Sequence, residues 1–162
     1  MHHWTVGGAL IEGDDGLLLV RNRRRGGRHD WTPPGGVIDS GEQIVDGLAR
    51  EVTEETGLTV VDWHGPAYRI EVTAVDMGWV LQVEAWRALA WQGDLRVGDD
   101  PDGIVVEARF VPTSLCVERL GRVQPWVTDP VEEWLAGRWD GVRQFSYRVE
   151  GVDPGDMVVT RT

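Results

Sequence analysis

Three glutamates, Glu51, Glu54 and Glu55, crowd into the stretch GVIDSGEQIVDGLAREVTEETGL that runs from Gly36 to Leu58. On a helix turning about 100° per residue, with Arg50 set at zero, Glu54 falls near about 40°, Glu51 near about 100° and Glu55 near about 140°. Val45, Leu48, Ala49, Val52 and Thr56 gather at about 160° to 260°. One helix therefore carries an apolar stripe to bury and an acidic stripe beside it. Three carboxylates on one arc repel each other unless a cation sits among them. Hard oxygen donors of this kind suit Mg²⁺, Mn²⁺ or Ca²⁺ rather than zinc or copper. The competing reading is an ordinary solvated acidic face, which explains neither Arg50 among the acids nor the glycines at both ends.

The same residues resemble the Nudix box. Gly36, Glu42, Arg50, Glu51, Val52, Glu54, Glu55, Gly57 and Leu58 occupy its fixed positions, and Trp31 and Pro34-Gly35-Gly36 precede it as they commonly do in that family. The resemblance implies a three-layer α/β/α sandwich with a mixed β-sheet and a hydrolase of diphosphate bonds in nucleoside diphosphate-linked substrates. It places Mg²⁺ ligands, with Mn²⁺ as an alternative, on Glu51, Glu54, Glu55 and a backbone carbonyl at Gly35. It implies that Arg50 and Glu42 pair to lock the loop onto the helix. Short members often split nucleoside triphosphates, oxidised ones included, into monophosphate and pyrophosphate, and that is the expected activity here. ADP-ribose or a nucleotide sugar is the second expectation. A non-catalytic nucleotide-binding regulator is the third, although no box glutamate is lost. Family members are often dimers, so the resemblance allows a homodimer.

The rest of the chain must position this site and supply a base and a grip for phosphate. Asp99, Asp100, Asp102 and Glu107 precede Phe110 where an additional acid is expected, and Glu107 is the candidate by order along the chain, against the plainer reading of a solvated strand-edge acid. Arg21, Arg23, Arg24, Arg25 and Arg28 concentrate positive charge in eight residues. Arg23 or Arg25 is expected to contact phosphate, because a guanidinium can grip it bidentately. Nine tryptophans are many for this length. Most should pack inside, leaving Trp4 and Trp79 as candidates to stack on a base.

Local patterns predict strands over Thr5–Glu12 and Leu17–Val20, a basic loop over Arg21–Asp30 and a helix opened by a Ser40–Gln43 capping box and closed by Gly57. Further strands are expected over Leu58–Trp63, Tyr68–Val75, Trp79–Trp91 and Ile104–Val111, with a turn at His64-Gly65-Pro66. Pro112–Leu120 reads as a short helix. Thr128 and Pro130 read as the N-cap and first turn of another. Residues 141–162 are expected to add a hairpin to what reads as one 162-residue α/β domain.

A net charge of −11 argues against general nucleic-acid or anionic-membrane binding. No 18-residue apolar run and no signal-like start are present, and the lone Cys116 excludes an internal disulfide. A cytoplasmic protein acting on a small nucleotide is the expectation.

Overall fold

The structure is a computed structural model that describes residues 1–121 and 123–162. Its strands are β1 (His2–Leu10), β2 (Glu12–Gly13), β3 (Gly16–Arg23), β4 (His29–Thr32), β5 (Gly35–Val37), β6 (Thr59–Ala74), β7 (Trp79–Gln92), β8 (Val105–Val111), β9 (Arg143–Glu150) and β10 (Val158–Arg161). Its helices are α1 (Ile44–Thr56), α2 (Thr113–Leu120) and α3 (Pro125–Gly137). Six strands form one sheet in the order β10-β9-β6-β7-β1-β5, and β3 pairs with β2, β4 and β8 in a second. The larger sheet is mixed: β1 with β7 and β6 with β9 run parallel, the other pairs antiparallel.

Both faces are covered where β1 and β3 run between α1 and the other two helices, which explains the unbroken apolar runs Ala9-Leu10-Ile11 and Leu17 to Val20, whereas β6 and β9 alternate buried with exposed residues. Leu48 and Val52 of α1 pack with Ala9, Ile11, Leu18, Leu58 and Val60 on one side. On the other, Val131 and Trp134 of α3 and Cys116 and Leu120 of α2 join Leu10, Leu17, Leu19, Ile70, Val72 and Phe145. The result is the expected α/β/α sandwich.

Several local expectations are corrected. The Ser40–Gln43 capping box is not made: α1 starts after an extended Gln43 whose side chain makes no cap bond. The Glu42 carboxylate orders this entry instead, accepting the Asp39 N–H at 2.8 Å. The turn at His64-Gly65-Pro66 is a register slip inside the single strand β6, because long pairing with β7 on either side outweighs a local turn signal. The last helix starts at Pro125, leaving Pro130 in its interior. Either proline fits a first helical position, and the chain takes the earlier one, with the Val127 and Thr128 N–H groups donating to the Gln124 carbonyl at 2.9 and 3.2 Å. The basic loop shrinks to one turn of 3₁₀ helix, Arg25–Gly27, because Arg21, Asn22 and Arg23 still pair with Trp31, Asp30 and His29.

The chain's end is built into the main sheet. β9 adds to β6, and Trp139 donates its indole N–H to the Ala67 carbonyl at 2.7 Å.

Candidate active site

Burying Leu48 and Val52 fixes the rotation of α1 and so aims its acidic stripe at the β5 turn. Gly57 ends the helix in the left-handed region, its N–H bonded to the Thr53 carbonyl, so the glutamates occupy the last two turns. Glu55 is 8% exposed, and its Oε1 accepts the Gly35 N–H at 2.8 Å. The Glu51 carboxylate lies against Gly36: a methyl group there would come within 2.5 Å of its carboxyl carbon. Glycine at 36 is thus a close approach between backbone and acid. We expect Gly36→Ala to displace Glu51 and cut turnover at least about tenfold with little loss of melting temperature, which kinetics and calorimetry on the same sample would check.

Arg50 ties the acids together. Its Nε and Nη2 donate to Glu42 Oε2 and Oε1 at 3.1 and 2.9 Å, and Nη1 reaches Glu51 Oε1 at 3.1 Å and Glu54 Oε2 at 3.5 Å. Nη2 also lies 3.4 Å from Asp39. This fork is the Arg50–Glu42 contact expected from the sequence, extended to three further carboxylates. Arg50 and the Asp39 N–H hold the Glu42 carboxyl below its ordinary range.

Glu55 and Glu51 are shifted the other way. Burial pushes Glu55 up to about 8; the Gly35 N–H opposes this, while Glu51, Asp100 and Glu54 add to it. Burial also raises Glu51, against the pull of Arg50 and with the help of Glu54 and Asp100. Asp100 thus belongs to the electrostatic neighbourhood of the helix acids. Its own carboxylate accepts the Asp102 and Val105 N–H groups, which holds the turn before β8. Glu107, on β8, is paired with Arg21 at 3.8 Å and Arg109 at 2.8 Å and is not among the charges that shift Glu51 and Glu55. The repeated aspartates of Asp99-Asp100-Pro101-Asp102-Gly103 were the visible signal, since aspartate commonly bonds the backbone two residues on.

Among the described residues no three acidic, histidine or cysteine side chains stand close enough to grip one ion as they lie. The donor set nevertheless suits a hard divalent cation. It is all carboxylate, Glu54 raises the proton affinity of both Glu51 and Glu55, and Glu51 Oε2 and Glu55 Oε2 make no hydrogen bond among the described residues.

Beside the turn lies a cavity of about 300 Å³. Val6 and Gly8 of β1, Tyr68 and Ile70 of β6, and Leu81, Val83 and Ala85 of β7 form its floor; Trp126, Val127 and Val131 of α3 cover it. Gly35, Gly36 and Arg24 stand at its edge. Of the arginine cluster, Arg24 lines the cavity, held by Asp30 at 2.8 and 3.0 Å, whereas Arg23 and Arg25 are exposed. The strand alternation of β3 continues into this segment: Asn22 points inward to Asp30 and Thr32, and Arg24 follows two residues on. Trp4 and Trp79, with ring centres 6.1 Å apart, sit at the far end of the same sheet face and do not line the cavity.

The Nudix domain family model matches residues 1–126. The chain belongs to the Nudix family. Among curated relatives, the "Uncharacterized Nudix hydrolase YvcI" of Bacillus subtilis is 39% identical over 57 residues, covering 35% of this chain and 34% of that protein. An RNA pyrophosphohydrolase of Caulobacter vibrioides is 31% identical over 103 residues, 57% of this chain and 60% of its own. The human 8-oxo-dGDP phosphatase NUDT18 is 31% identical over 113 residues, 69% of this chain and 33% of its own. The chain thus spans about a third of YvcI and 60% of the bacterial pyrophosphohydrolase. In fold it is similar to the E. coli ORF135 protein, with a TM-score of 0.69 at 19% identity over 86% of this chain and 96% of that one. A MutT protein from Bacillus halodurans superposes with a TM-score of 0.68 at 18% identity, covering 98% and 97%.

Proposed function

We propose that the protein is a Mg²⁺-dependent hydrolase that cuts a diphosphate bond in a nucleoside diphosphate-linked substrate, with nucleoside triphosphates, oxidised ones included, as the leading class. The observation that carries this is the junction of two unlike surfaces. The acidic end of α1 meets, across Gly35 and Gly36, an apolar cavity sized for one nucleoside. A bound divalent ion would neutralise the diphosphate oxygens and make water a better nucleophile. Glu51, Glu54, Glu55 and the Gly35 carbonyl are the groups that would hold it.

The chain's own residues do the rest. Arg50 and Glu42 fix the geometry of the acids, so their effect on rate is one of positioning. The proton of the attacking water passes to Glu54 or Asp100. Single glutamine and asparagine substitutions separate the two, since loss of the base costs about 10²–10⁴ in rate. Arg24, set at the cavity edge, faces the substrate in place of Arg23 and Arg25. The acidic balance of the chain disfavours a long RNA backbone, which supports a mononucleotide substrate over an RNA 5′ end.

ADP-ribose or a nucleotide sugar is the second reading, supported by a Methanocaldococcus jannaschii relative named ADP-ribose pyrophosphatase, 31% identical over 58 residues. No helix of the described residues is long and apolar enough to cross a membrane, and the buried, unpaired Cys116 supports placement in the reducing cytoplasm.

Incubation with oxidised and ordinary nucleoside triphosphates, ADP-ribose and dinucleoside polyphosphates, with and without Mg²⁺, tests the assignment. Pyrophosphate plus monophosphate from a triphosphate, abolished by a chelator, is the expected result. No hydrolysis of any of them would overturn it in favour of a nucleotide-binding regulator.

A further inference from the structure

A row of four residues runs straight across the larger sheet beneath the cavity. Gly35 pairs with Gly8, Gly8 with Ala85, and Ala85 with Tyr68. Three of the four have no side chain or only a methyl group, so the floor is a trough. It spans three strand spacings, about 14 Å, from the glycine turn beside Glu55 to the Tyr68 ring. Val6, Val83 and Ile70 bank one side of it, and α3 covers it.

Gly7 and Gly8 are neighbours with opposite roles. A methyl group on Gly7 would press on Ile38 and Leu48 at 3.3 Å, on the α1 side. One on Gly8 would meet nothing within 4 Å, because it would project into the trough. Neither the backbone nor the core therefore requires glycine at position 8.

Tyr68 closes the far end. It is 4% exposed and packs against Phe145 and Trp139. Its hydroxyl finds no hydrogen-bond partner among the described residues, although no fully sealed side-chain nitrogen or oxygen is left without one. Burial raises its pKa, so the O–H stays protonated. The hydroxyl is not fully sealed, and because Tyr68 lines the cavity a ligand group there can bond it in place of water.

We propose that Gly8 and Tyr68 set the base specificity of this site: the substrate's ring slides over Gly8 and Ala85, and the Tyr68 hydroxyl bonds a polar group on the ring edge remote from the sugar. This rests on the proposed nucleotide reading and narrows it. The ligand carries one base, with an exocyclic oxygen or amine at that edge, in a slot that otherwise reads shape alone. A phenol hydroxyl both donates and accepts, so it tests for the presence of such a group more than for its identity.

The test is titration calorimetry in excess Mg²⁺ with two monophosphates that the enzyme has no diphosphate bond to cut: inosine 5′-monophosphate, and the nucleotide of unsubstituted purine. The native chain should bind the first about tenfold more tightly, the effect of one unmet buried hydrogen bond. Tyr68→Phe, which keeps the ring packing, should make the two equal. Gly8→Leu should weaken both about tenfold or more with an unchanged melting temperature, and Gly8→Ala should weaken them by a smaller factor should the leucine disturb folding. A Gly8 variant that binds like the native chain, a preference that survives Tyr68→Phe, or a native chain that binds neither nucleotide overturns the inference. Loss of hydrolysis with this binding pattern intact would sink only the hydrolase assignment. Retained hydrolysis with a Gly8→Leu protein that binds normally would sink only the slot.

Discussion

Glu55→Gln is expected to abolish most turnover, by at least about a hundredfold through loss of a metal ligand, and at the same time to stabilise the metal-free protein at neutral and higher pH. Both effects have one cause. Glu55 is buried beside Glu51, Glu54 and Asp100, and its pKa is raised to about 8 from an ordinary 4.5. Between those values the unfolded chain releases a proton that the folded chain keeps. Stability without a divalent ion therefore falls as pH rises from about 4.5 to about 8, by up to about 1.4 kcal/mol per pH unit. The stabilising protonated state is fully present at the acid end of that window and lost as pH passes the folded pKa. Glutamine mimics that state at every pH, so its melting temperature should lose this slope.

Excess Mg²⁺ should act in the opposite sense in the native protein. It favours the ionised carboxylate, so its stabilisation should grow from pH 6 to pH 8, with proton release on binding. Thermal melts at several pH values, with and without Mg²⁺, check each arm. A native protein whose melting temperature ignores Mg²⁺ at pH 8 would sink the ion-binding role of Glu55.

The largest expected effect on folding comes from Trp134, which is fully buried on α3. Its ring meets Trp139 edge-on at 5.1 Å, lies 5.2 Å from the Arg87 guanidinium, and donates its N–H to Glu12 at 3.2 Å. Trp134→Ala should cost about 3–5 kcal/mol, from lost burial and from the void left behind. For a chain of this length each kcal/mol lowers the melting temperature by about 2–4 °C. Because Val127 and Val131 of the same helix cover the cavity, nucleotide KM should rise in the variant while kcat changes less. Urea unfolding and steady-state kinetics read the two effects. A loss below about 1 kcal/mol would show that α3 is not anchored through this side chain.

Much of the acidic site was legible in the linear chain because helical geometry is local. The spacing of Glu51, Glu54 and Glu55 against Leu48 and Val52 dictates which face is buried, and Arg50 and Glu42 lie close enough in sequence to meet within the same loop and helix. Gly57 as a helix stop is equally local, since it depends on one residue's tolerance of positive φ.

What only the tertiary structure decided depends on pairing between distant segments. That Arg24 rather than its neighbours lines the cavity follows from the register of β3 on β4, which a string of arginines does not encode. Asp100 reaches the field of Glu51 and Glu55 while Glu107 is taken by Arg21 and Arg109. The trough exists because Gly35, Gly8, Ala85 and Tyr68, four residues from four strands, come into one row. Composition can specify a helix face within a few turns, but a cavity is a property of strand order, and strand order is settled by which long-range pairings bury the most surface at once.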